Sequence, residues 1–541
     1  MGSTTSIQLI RALRRGVLAS VITLATVAAG TLGLAAPVAA QDFKVGLSSP
    51  PNSMDPHWHN LFSNINVSEH IFECLIKLDA DSKIVPGLAE KWRVVDATTW
   101  EFTLRDAKFH DGTPVTVEDV FFSLDRPAKI VGSPGSFAIY TKAITAKTKI
   151  SDKVFQLKTA TPYPLMLNDL TAVFMMKKGA TEGATQEEVA TGAKGMVGTG
   201  PYRFGRFVRD DRVELARNPL YWGARPPYQA VTLRFIANNA ARVSALLAND
   251  VQAIENVPTP DLDRIRKDPA LSFFSKVSHR VIYFQPDVRP TSPLVSAKDG
   301  KPLDKNPLAN LKVREAISMA INRQGISDRV MSGLSVPTMN LVPSTLFGFN
   351  PKLTVPKYDT EAAKKLLAEA GYPDGFAMTI NGTNNRYVND DQIIQAVAGM
   401  LRRIGIQAKV DTMPLAVFFS RAAKLEFSFQ MVGWGAQTGE VSSPLRAFLA
   451  TRDEAKGMGT VNYGSYSNPK MDTLLTQALS TVDDAKRSQL LQDATAEAIN
   501  DLGVIPLHHQ VTTWAARKGV EYIPRTDERT YAFFFKPAGA Q

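Results

Sequence analysis

The chain has 541 residues, more than one hydrophobic core usually organises, so at least two lobes are expected. An apolar share of 44% with 21% charged residues is ordinary for a folded protein and excludes global disorder. The formal charge of +10 comes without any dense run of Lys or Arg, which argues against nucleic acid as a partner. The single cysteine, Cys74, excludes an intrachain disulfide, and its apolar neighbours indicate a core position.

Residues 1–40 have the pattern of a secretory signal peptide. Three arginines between positions 11 and 15 form a charged start, residues 16–34 an apolar middle, and Val38-Ala39-Ala40 a small-residue cleavage site. The middle is also long enough for a membrane anchor, but its Gly, Ser and Thr content favours cleavage. No cysteine stands at the cleavage point, which excludes lipid anchoring there, so we expect a free periplasmic protein.

A strand, a turn and a helix are predicted early in the remaining chain. Trp100, Phe102 and Leu104 alternate with polar residues, which is the period of a strand with one buried face. The turn residues 110–114 break this pattern. Thr116 can then cap a helix whose first turn carries two acidic residues, where a helix N-terminus favours negative charge.

This region resembles the signature segment of the solute-binding proteins that feed peptide, nickel and opine ABC importers. In that family the segment reads approximately PGLAESW, an aromatic-led strand, LR, FHDGTPFTAEDV and a final Ser. Here it reads PGLAEKW, WEFTLR, FHDGTPVTVEDV and Ser123. SMDPH at residues 53–57 and NPLYW at residues 218–222 match the family as well. The resemblance covers essentially the whole chain after residue 40.

The resemblance implies an α/β, two-lobed periplasmic-binding-protein fold with an extra subdomain in the first lobe (cluster C type), whose lobes close on the ligand. The main part of the first lobe would comprise residues 41–74, 196–280 and 512–541. The extra subdomain would comprise residues 75–195, and the second lobe residues 281–511.

Two short crossings between the lobes are expected, within residues 279–285 and 510–514, and would form a hinge. In the second lobe, apolar residues recur at helical spacing over residues 311–323, 360–370 and 483–501. These segments predict three amphipathic helices, the second of them capped by Asp359.

Arg386 is the first candidate for ligand binding. It stands between a predicted strand, 376–380, and the following helix, and a loop at the end of a strand in an α/β lobe is where ligands usually dock. The arginine fork can take a carboxylate bidentately. In dipeptide-binding relatives an arginine at what looks like this position holds the C-terminal carboxylate of the ligand. Asn385 is grouped with it, and a solvated surface arginine is the alternative.

The second candidate segment, GWGAQTGE at residues 433–440, resembles the family's GWxxDxxDP. The first Asp of that motif pairs with the free amino terminus of the ligand, but here Gln437 stands in its place and Glu440 replaces the second acid. Gln keeps hydrogen-bonding capacity but loses the charge that makes a buried ammonium tolerable. This departure puts an unmodified peptide in doubt. Trp434 could stack on the ligand, with a core tryptophan as the alternative.

His57, Trp58 and His59 follow the first predicted strand, in a loop that borders the ligand cleft in the family. Two histidines one residue apart raise the hypothesis of a metal or metal-chelate ligand. No third ligand can be placed with them, so no metal site is assigned. Tyr140 is a further cleft candidate, for which core packing is the alternative.

The sequence contains no nucleophile elbow, P-loop, HExxH or paired CxxC motif. Together with the resemblance, this predicts a monomeric binding protein without a cofactor rather than an enzyme. Its expected role is to capture a peptide or peptide-like solute in the periplasm and deliver it to an ABC permease with cytoplasmic ATPases. A nickel or other metal chelate, an opine or another small polar solute is the alternative ligand, and a periplasmic hydrolase is the rival class.

Overall fold

The computed structural model describes residues 42–539, so the predicted signal peptide lies outside the described residues. The described chain mixes strands and helices throughout. The strands are β1 Phe43–Leu47, β2 Ile76–Leu78, β3 Ile84–Pro86, β4 Ala89–Asp96, β5 Thr99–Leu104, β6 Ile144–Lys149, β7 Val154–Thr159, β8 Tyr202–Val208, β9 Arg212–Arg217, β10 Ala230–Phe235, β11 Ala253–Glu255, β12 Leu271–Pro286, β13 Val295–Ser296, β14 Ser335–Pro337, β15 Ala377–Thr383, β16 Gln407–Met413, β17 Phe429–Gly435, β18 Ile505–Arg517, β19 Val520–Tyr522 and β20 Phe535–Pro537.

The helices vary from single turns to seventeen residues. They are α1 Phe62–Ile71, α2 Val117–Asp125, α3 Met166–Asp169, α4 Lys178–Thr181, α5 Gln186–Ala190, α6 Asn239–Leu247, α7 Leu262–Lys267, α8 Leu311–Ala320, α9 Arg323–Arg329, α10 Thr360–Glu369, α11 Asp390–Arg402, α12 Leu415–Ala423, α13 Ser442–Pro444, α14 Pro469–Ala478 and α15 Asp484–Asn500.

One large mixed sheet runs through the described part of the chain. Its strands follow the order β13-β15-β17-β12-β18-β11-β1-β10-β9-β8, with β14 paired to β18 and β16 to β15. β1 is parallel to β10 and β11, whereas β12 and β18 are antiparallel to each other. A separate antiparallel sheet, β4-β5-β7-β6, lies within the predicted extra subdomain.

Two large hydrophobic cores contain residues from opposite ends of the β12–β18 pair. The first is built from residues between 43 and 253 and between 514 and 535, and the second from residues between 281 and 507. We call the regions around these cores the first lobe and the second lobe. β12 and β18 pass from one to the other, and the two predicted crossings fall within these strands. The exact boundaries of the lobes and of the extra subdomain stay a prediction.

The predicted strand, turn and helix are confirmed. Trp100, Phe102 and Leu104 of β5 are buried, as their alternation requires. Thr116 caps α2 in a capping box, in which its hydroxyl accepts from the backbone N–H of Asp119 and the Asp119 carboxylate accepts from the backbone N–H of Thr116. The unit therefore contributes to the hydrophobic core of the first lobe.

The helix predicted over residues 311–323 ends earlier in the structure, at Ala320 of α8, and a separate helix, α9, begins at Arg323. Ile321 is extended, and Asn322 begins the second helix because its side-chain oxygen accepts from the backbone N–H of Gly325 at 2.7 Å. An Asn at an N-cap competes with helix continuation, which the apolar spacing alone does not register. Asp359 caps α10 as predicted. The helix predicted over residues 483–501 is α15, and its first predicted residue, Asp483, is the N-cap.

Candidate functional site

A cleft of about 600 Å³ lies between the two lobes. The first lobe contributes Tyr140, Tyr163 and Asp169 to its lining. The second lobe contributes Arg386 and a wall formed by the end of β17 and the segment after it. Pockets of this size, with a few polar groups among aromatic side chains, are typical of small-molecule sites.

The loop that carries Arg386 is fixed by Asp390 at the start of α11. One carboxylate oxygen of Asp390 accepts from the backbone N–H groups of Arg386 at 3.0 Å and Tyr387 at 3.2 Å, and from the hydroxyl of Thr383 at 2.6 Å. A carboxylate at a helix N-terminus that also gathers loop amides holds the preceding turn in one conformation. The position of Arg386 is therefore set by the strand-to-helix turn that the sequence predicted.

The guanidinium of Arg386 has no hydrogen bond or ion pair to any side chain within residues 42–539. It lies 5.3 Å from the ring centre of Tyr387, and the neighbouring Arg280 is held by Glu528 through two hydrogen bonds of 3.0 and 2.7 Å. The residue is exposed at the cleft, as the surface-arginine alternative expects. Desolvation by the surrounding protein and the charge of Arg280 nevertheless lower the pKa of Arg386 below its usual value. An arginine stays protonated despite such a shift, so the guanidinium keeps its positive charge. Because it has no partner within the described residues, it can bind an anion.

Trp434 and Gln437 form part of the second-lobe wall. The indole N–H of Trp434 donates to the hydroxyl of Ser443 at 3.0 Å, and its ring meets Phe448 edge-on at 6.0 Å. Both residues are half-buried and line the cleft. Gly433 is required here because a Cβ would lie 2.8 Å from the ring of Tyr387.

Tyr140 lines the first-lobe side of the cleft together with Asn60. Its hydroxyl accepts from the side-chain amide of Asn60 at 2.7 Å, and the residue is 8% exposed. The ring of Tyr140 therefore packs in the hydrophobic core and also lines the cleft, the two roles that the sequence analysis gave as alternatives.

Glu440 and Asn385 do not line the cleft. Glu440 is 1% exposed, with its carboxylate bound to Arg487 and to the hydroxyl of Ser442. The side-chain oxygen of Asn385 accepts from the backbone N–H of Leu415, at 2.9 Å, and so supports the start of α12. Glu440 is corrected from a ligand contact to a structural support, because its carboxylate is already occupied by protein. Asn385 is corrected as well, because it lies outside the cleft lining and its side-chain oxygen supports α12.

His57, Trp58 and His59 are also corrected away from the cleft lining. His57 is fully buried, donates from Nε2 to the carbonyl of Phe174 at 2.8 Å, and has its pKa lowered to about 4 by burial. Nδ1 of His59 is paired with the side chain of Asn52 at 2.7 Å. Within residues 42–539 no group of three or more His, Cys, Asp or Glu side chains is placed to hold a metal ion.

The sequence missed Tyr163, Asp169 and Arg446 in the lining. Asp169 is 6% exposed and accepts a 2.5 Å hydrogen bond from the hydroxyl of Tyr163. Burial raises the pKa of Asp169 to about 7, although the Tyr163 bond and the charge of Arg446 oppose that rise. The one local signal for Arg446 is its position as a lone charge in the apolar stretch LRAFL.

The chain matches the model of bacterial extracellular solute-binding proteins, family 5, over residues 83–456. It belongs to this family. A glutathione-binding protein of Pectobacterium atrosepticum is 28% identical over 486 residues, which cover 86% of this chain and 89% of that one. The dipeptide-binding protein of Escherichia coli is 26% identical over 474 residues, covering 81% and 83%.

The fold of this family member is likewise that of solved periplasmic binding proteins with two lobes. A periplasmic binding protein of Helicobacter pylori, DppA, in complex with the peptide STSA superimposes with a TM-score of 0.73 at 21% identity. The match covers 92% of this chain and 97% of the other. Family members are extracellular by the family's description, and these relatives are binding proteins. In the described part of the chain no helix is long and apolar enough to cross a membrane.

Proposed function

We propose that this chain is the periplasmic solute-binding component of an ABC importer and that it captures a peptide-like solute in the cleft between its lobes. In this proposal residues 1–40 are removed on export, and the protein is a free monomer without a lipid anchor. It delivers its ligand to the permease subunits, which cytoplasmic ATPases drive, and does not transform it. The relatives that bind dipeptides and glutathione support this solute class.

The observation that carries the proposal is the unpartnered fork of Arg386 in the cleft. A guanidinium with fixed geometry and reduced hydration is suited to a carboxylate, which it can take through two parallel hydrogen bonds. Trp434, Gln437 and Tyr140 share the cleft with it and offer a flat apolar surface and neutral polar groups. A solute with a terminal carboxylate and an amide backbone fits these groups.

Closure provides the mechanism. A ligand that contacts both lobes only when they are closed shifts the open–closed equilibrium by the difference in its affinity for the two states. The β12–β18 pair, which connects the lobes, is the element about which such a motion would occur. The closed form would then be the one that docks on the permease.

The test is a thermal-shift screen of the mature protein against dipeptides and tripeptides, opines and nickel chelates. A ligand stabilises by RT ln(1 + [L]/Kd), so micromolar binding registers at millimolar ligand. We expect a peptide-like acid to stabilise the protein and Arg386→Ala to weaken its binding by about 100-fold. The matched control is Arg403→Ala, an exposed arginine on the same lobe, which should bind normally.

Three outcomes would contradict the proposal. Stabilisation by a nickel chelate alone would move the ligand to the metal class. Unchanged binding in Arg386→Ala would remove the assigned carboxylate contact. Recovery of a chemically altered ligand after incubation with the purified protein would favour a hydrolase.

A further inference from the structure

A second charged position lies in the same cleft, formed by one residue from each lobe. Asp169 ends α3 among residues of the first core, and Arg446 lies in a helical turn, Leu445–Leu449, that packs in the second core. Both side chains line the cleft. Two opposite charges thus face one space from opposite lobes.

These two charges do not pair with each other. No nitrogen of Arg446 lies within 4.0 Å of an acidic oxygen in the part of the chain that is described. Nε of Arg446 is buried and has no hydrogen-bond partner there. From the described residues, the Asp169 carboxylate accepts only one hydrogen bond, from the neutral hydroxyl of Tyr163. The acid and the arginine therefore keep unused hydrogen-bonding capacity.

Such an arrangement is unusual in this protein. Other buried carboxylates either hold an arginine directly, as in Arg126–Asp55 at 2.6 Å and Arg280–Glu528 at 2.7 Å, or accept several hydrogen bonds from the protein, as Asp390 and Glu255 do. Leaving a buried charge unpaired is costly, and proteins ordinarily avoid it. An exception that faces a ligand cleft indicates a group the ligand supplies.

We propose that Asp169 and Arg446 bind an amino-acid head group, an ammonium and a carboxylate on one carbon, at the end of the ligand remote from Arg386. This inference rests on the proposed function and specifies its solute class. The ammonium contacts the Asp169 carboxylate, which the Tyr163 hydroxyl orients, and the head-group carboxylate takes the Arg446 fork. A second carboxylate of the same solute contacts Arg386.

The substitution at Gln437 is consistent with this arrangement. The family motif has an acid there for the amino terminus of a peptide, and Glu440, the next acid, is occupied by Arg487. Neither residue offers a free negative charge to the cleft. Asp169, from the opposite lobe, does. In this chain the ligand ammonium would therefore be bound from the first lobe, by Asp169, whereas the acid of the family motif lies in the second lobe.

The class of ligand follows from the two charges of the head group. An ordinary α-peptide has its first carboxyl group in an amide bond, so its amino terminus has no carboxylate on the same carbon for Arg446. A γ-linked peptide, or another solute joined through a side chain, keeps both groups free. The cleft therefore favours side-chain-linked amino-acid conjugates with a further carboxylate.

The head group also acts on closure because it bridges the lobes. Next to Asp169, the side-chain amide of Asn168 donates to the carbonyl of Thr438, across the lobes, at 2.7 Å. A zwitterion placed between Asp169 and Arg446 adds two charged contacts at this junction. Ligand binding and lobe contact are thereby coupled at one place.

Two isomers test the inference directly, because γ-glutamyl-glycine and α-glutamyl-glycine have the same formula, the same formal charge and the same number of carboxylates. Titration calorimetry of each with the mature protein at pH 8 should show the γ-isomer binding at least tenfold more tightly. Asp169→Asn and Arg446→Gln should each reduce the affinity for the γ-isomer at least tenfold. Each should also reduce the ratio of γ-isomer to α-isomer affinity. Asp304→Asn and Arg403→Gln, at exposed positions outside the cleft lining, are the matched controls and should change neither.

The two proposals fail in different ways. Equal affinity for the isomers, or preference for the α-isomer, with binding still lost in Arg386→Ala, overturns the head-group inference and leaves the proposed function in place. Unaltered γ-isomer binding in both Asp169→Asn and Arg446→Gln overturns it as well. If neither isomer nor any member of the wider solute panel binds, both proposals are overturned.

Discussion

Asp55 and Asp169 are both buried carboxylates of the first lobe, but their surroundings differ completely. Asp55 is 1% exposed, is held by Arg126 through bonds of 2.7 and 2.6 Å, and also accepts from Gln186 at 3.0 Å. Burial alone would raise the pKa of Asp55, but the hydrogen bonds and charge of Arg126 bring it below its usual value. Asp169 has no arginine partner within residues 42–539, and burial raises its pKa to about 7.

This difference in pairing distinguishes charged groups that stabilise the fold from charged groups that can bind a ligand. A carboxylate whose acceptor positions are all occupied by protein groups cannot bind a solute, even when its loop matches a family motif. A carboxylate with one neutral partner at the wall of a cleft retains that capacity. Variants of the two kinds of site should therefore respond in opposite directions.

The largest expected effect is at the Asp55 position. Arg126→Ala leaves a buried carboxylate uncompensated, so the free energy of unfolding should fall by about 3–5 kcal/mol. Urea denaturation of the mature protein measures the change. Combining Arg126→Ala with Asp55→Asn removes the stranded charge and should recover part of the loss, whereas a loss below about 1 kcal/mol in the single variant would contradict the assignment.

A similar effect is expected at Glu440, which the sequence grouped with the ligand contacts. Arg487→Met should reduce the free energy of unfolding by about 3 kcal/mol, because the side chains of this ion pair are only 1% and 4% exposed. Its effect on ligand affinity should be much smaller than that of Arg386→Ala, measured by the same titration. If Arg487→Met lost as much ligand affinity as Arg386→Ala, Glu440 would have to be assigned to the ligand site after all.

The sequence was sufficient for the parts of the molecule that depend on local pattern. The alternation in β5, the Thr116 cap and the turn carrying Arg386 each follow from residues close together in the chain. Glu440 and His57 could not be placed in this way, because their partners Arg487 and Phe174 come from distant segments. Whether a polar residue is free depends on what packs against it.

The missed residues of the cleft show the same limit more sharply. Asp169 and Arg446 belong to different lobes and match no motif, so neither periodicity nor resemblance brings them together. Their significance arises only from the space between them and from the lack of another partner. That property belongs to the assembled tertiary structure, not to a stretch of sequence.

The ligand-free protein should become more stable when the charge at Asp169 is removed. Because its pKa is raised from 3.8 to about 7 on folding, the stability it supplies as a neutral acid is present below pH 4 and is lost as the pH rises to 7. Asp169→Asn should therefore raise the free energy of unfolding by about 2 kcal/mol at pH 8 and by much less at pH 4. Urea denaturation across this range measures the difference between the two proteins. A variant less stable than the parent at pH 8 would show that Asp169 is a structural acid like Asp55.

The smallest effect is expected where a pair is present without burial. Lys364 and Glu361 on α10 approach to 2.8 Å, but their side chains are 49% and 80% exposed. Solvent screens such a pair, so Lys364→Ala should change the free energy of unfolding by at most about 0.5 kcal/mol, in contrast to Arg126→Ala. Urea denaturation of both variants in one buffer makes the comparison. If Lys364→Ala lowered the free energy of unfolding by more than about 1 kcal/mol, the ion pair itself would account for the stability assigned to the Asp55 site. The cost of leaving a buried carboxylate without its partner would then not be the cause.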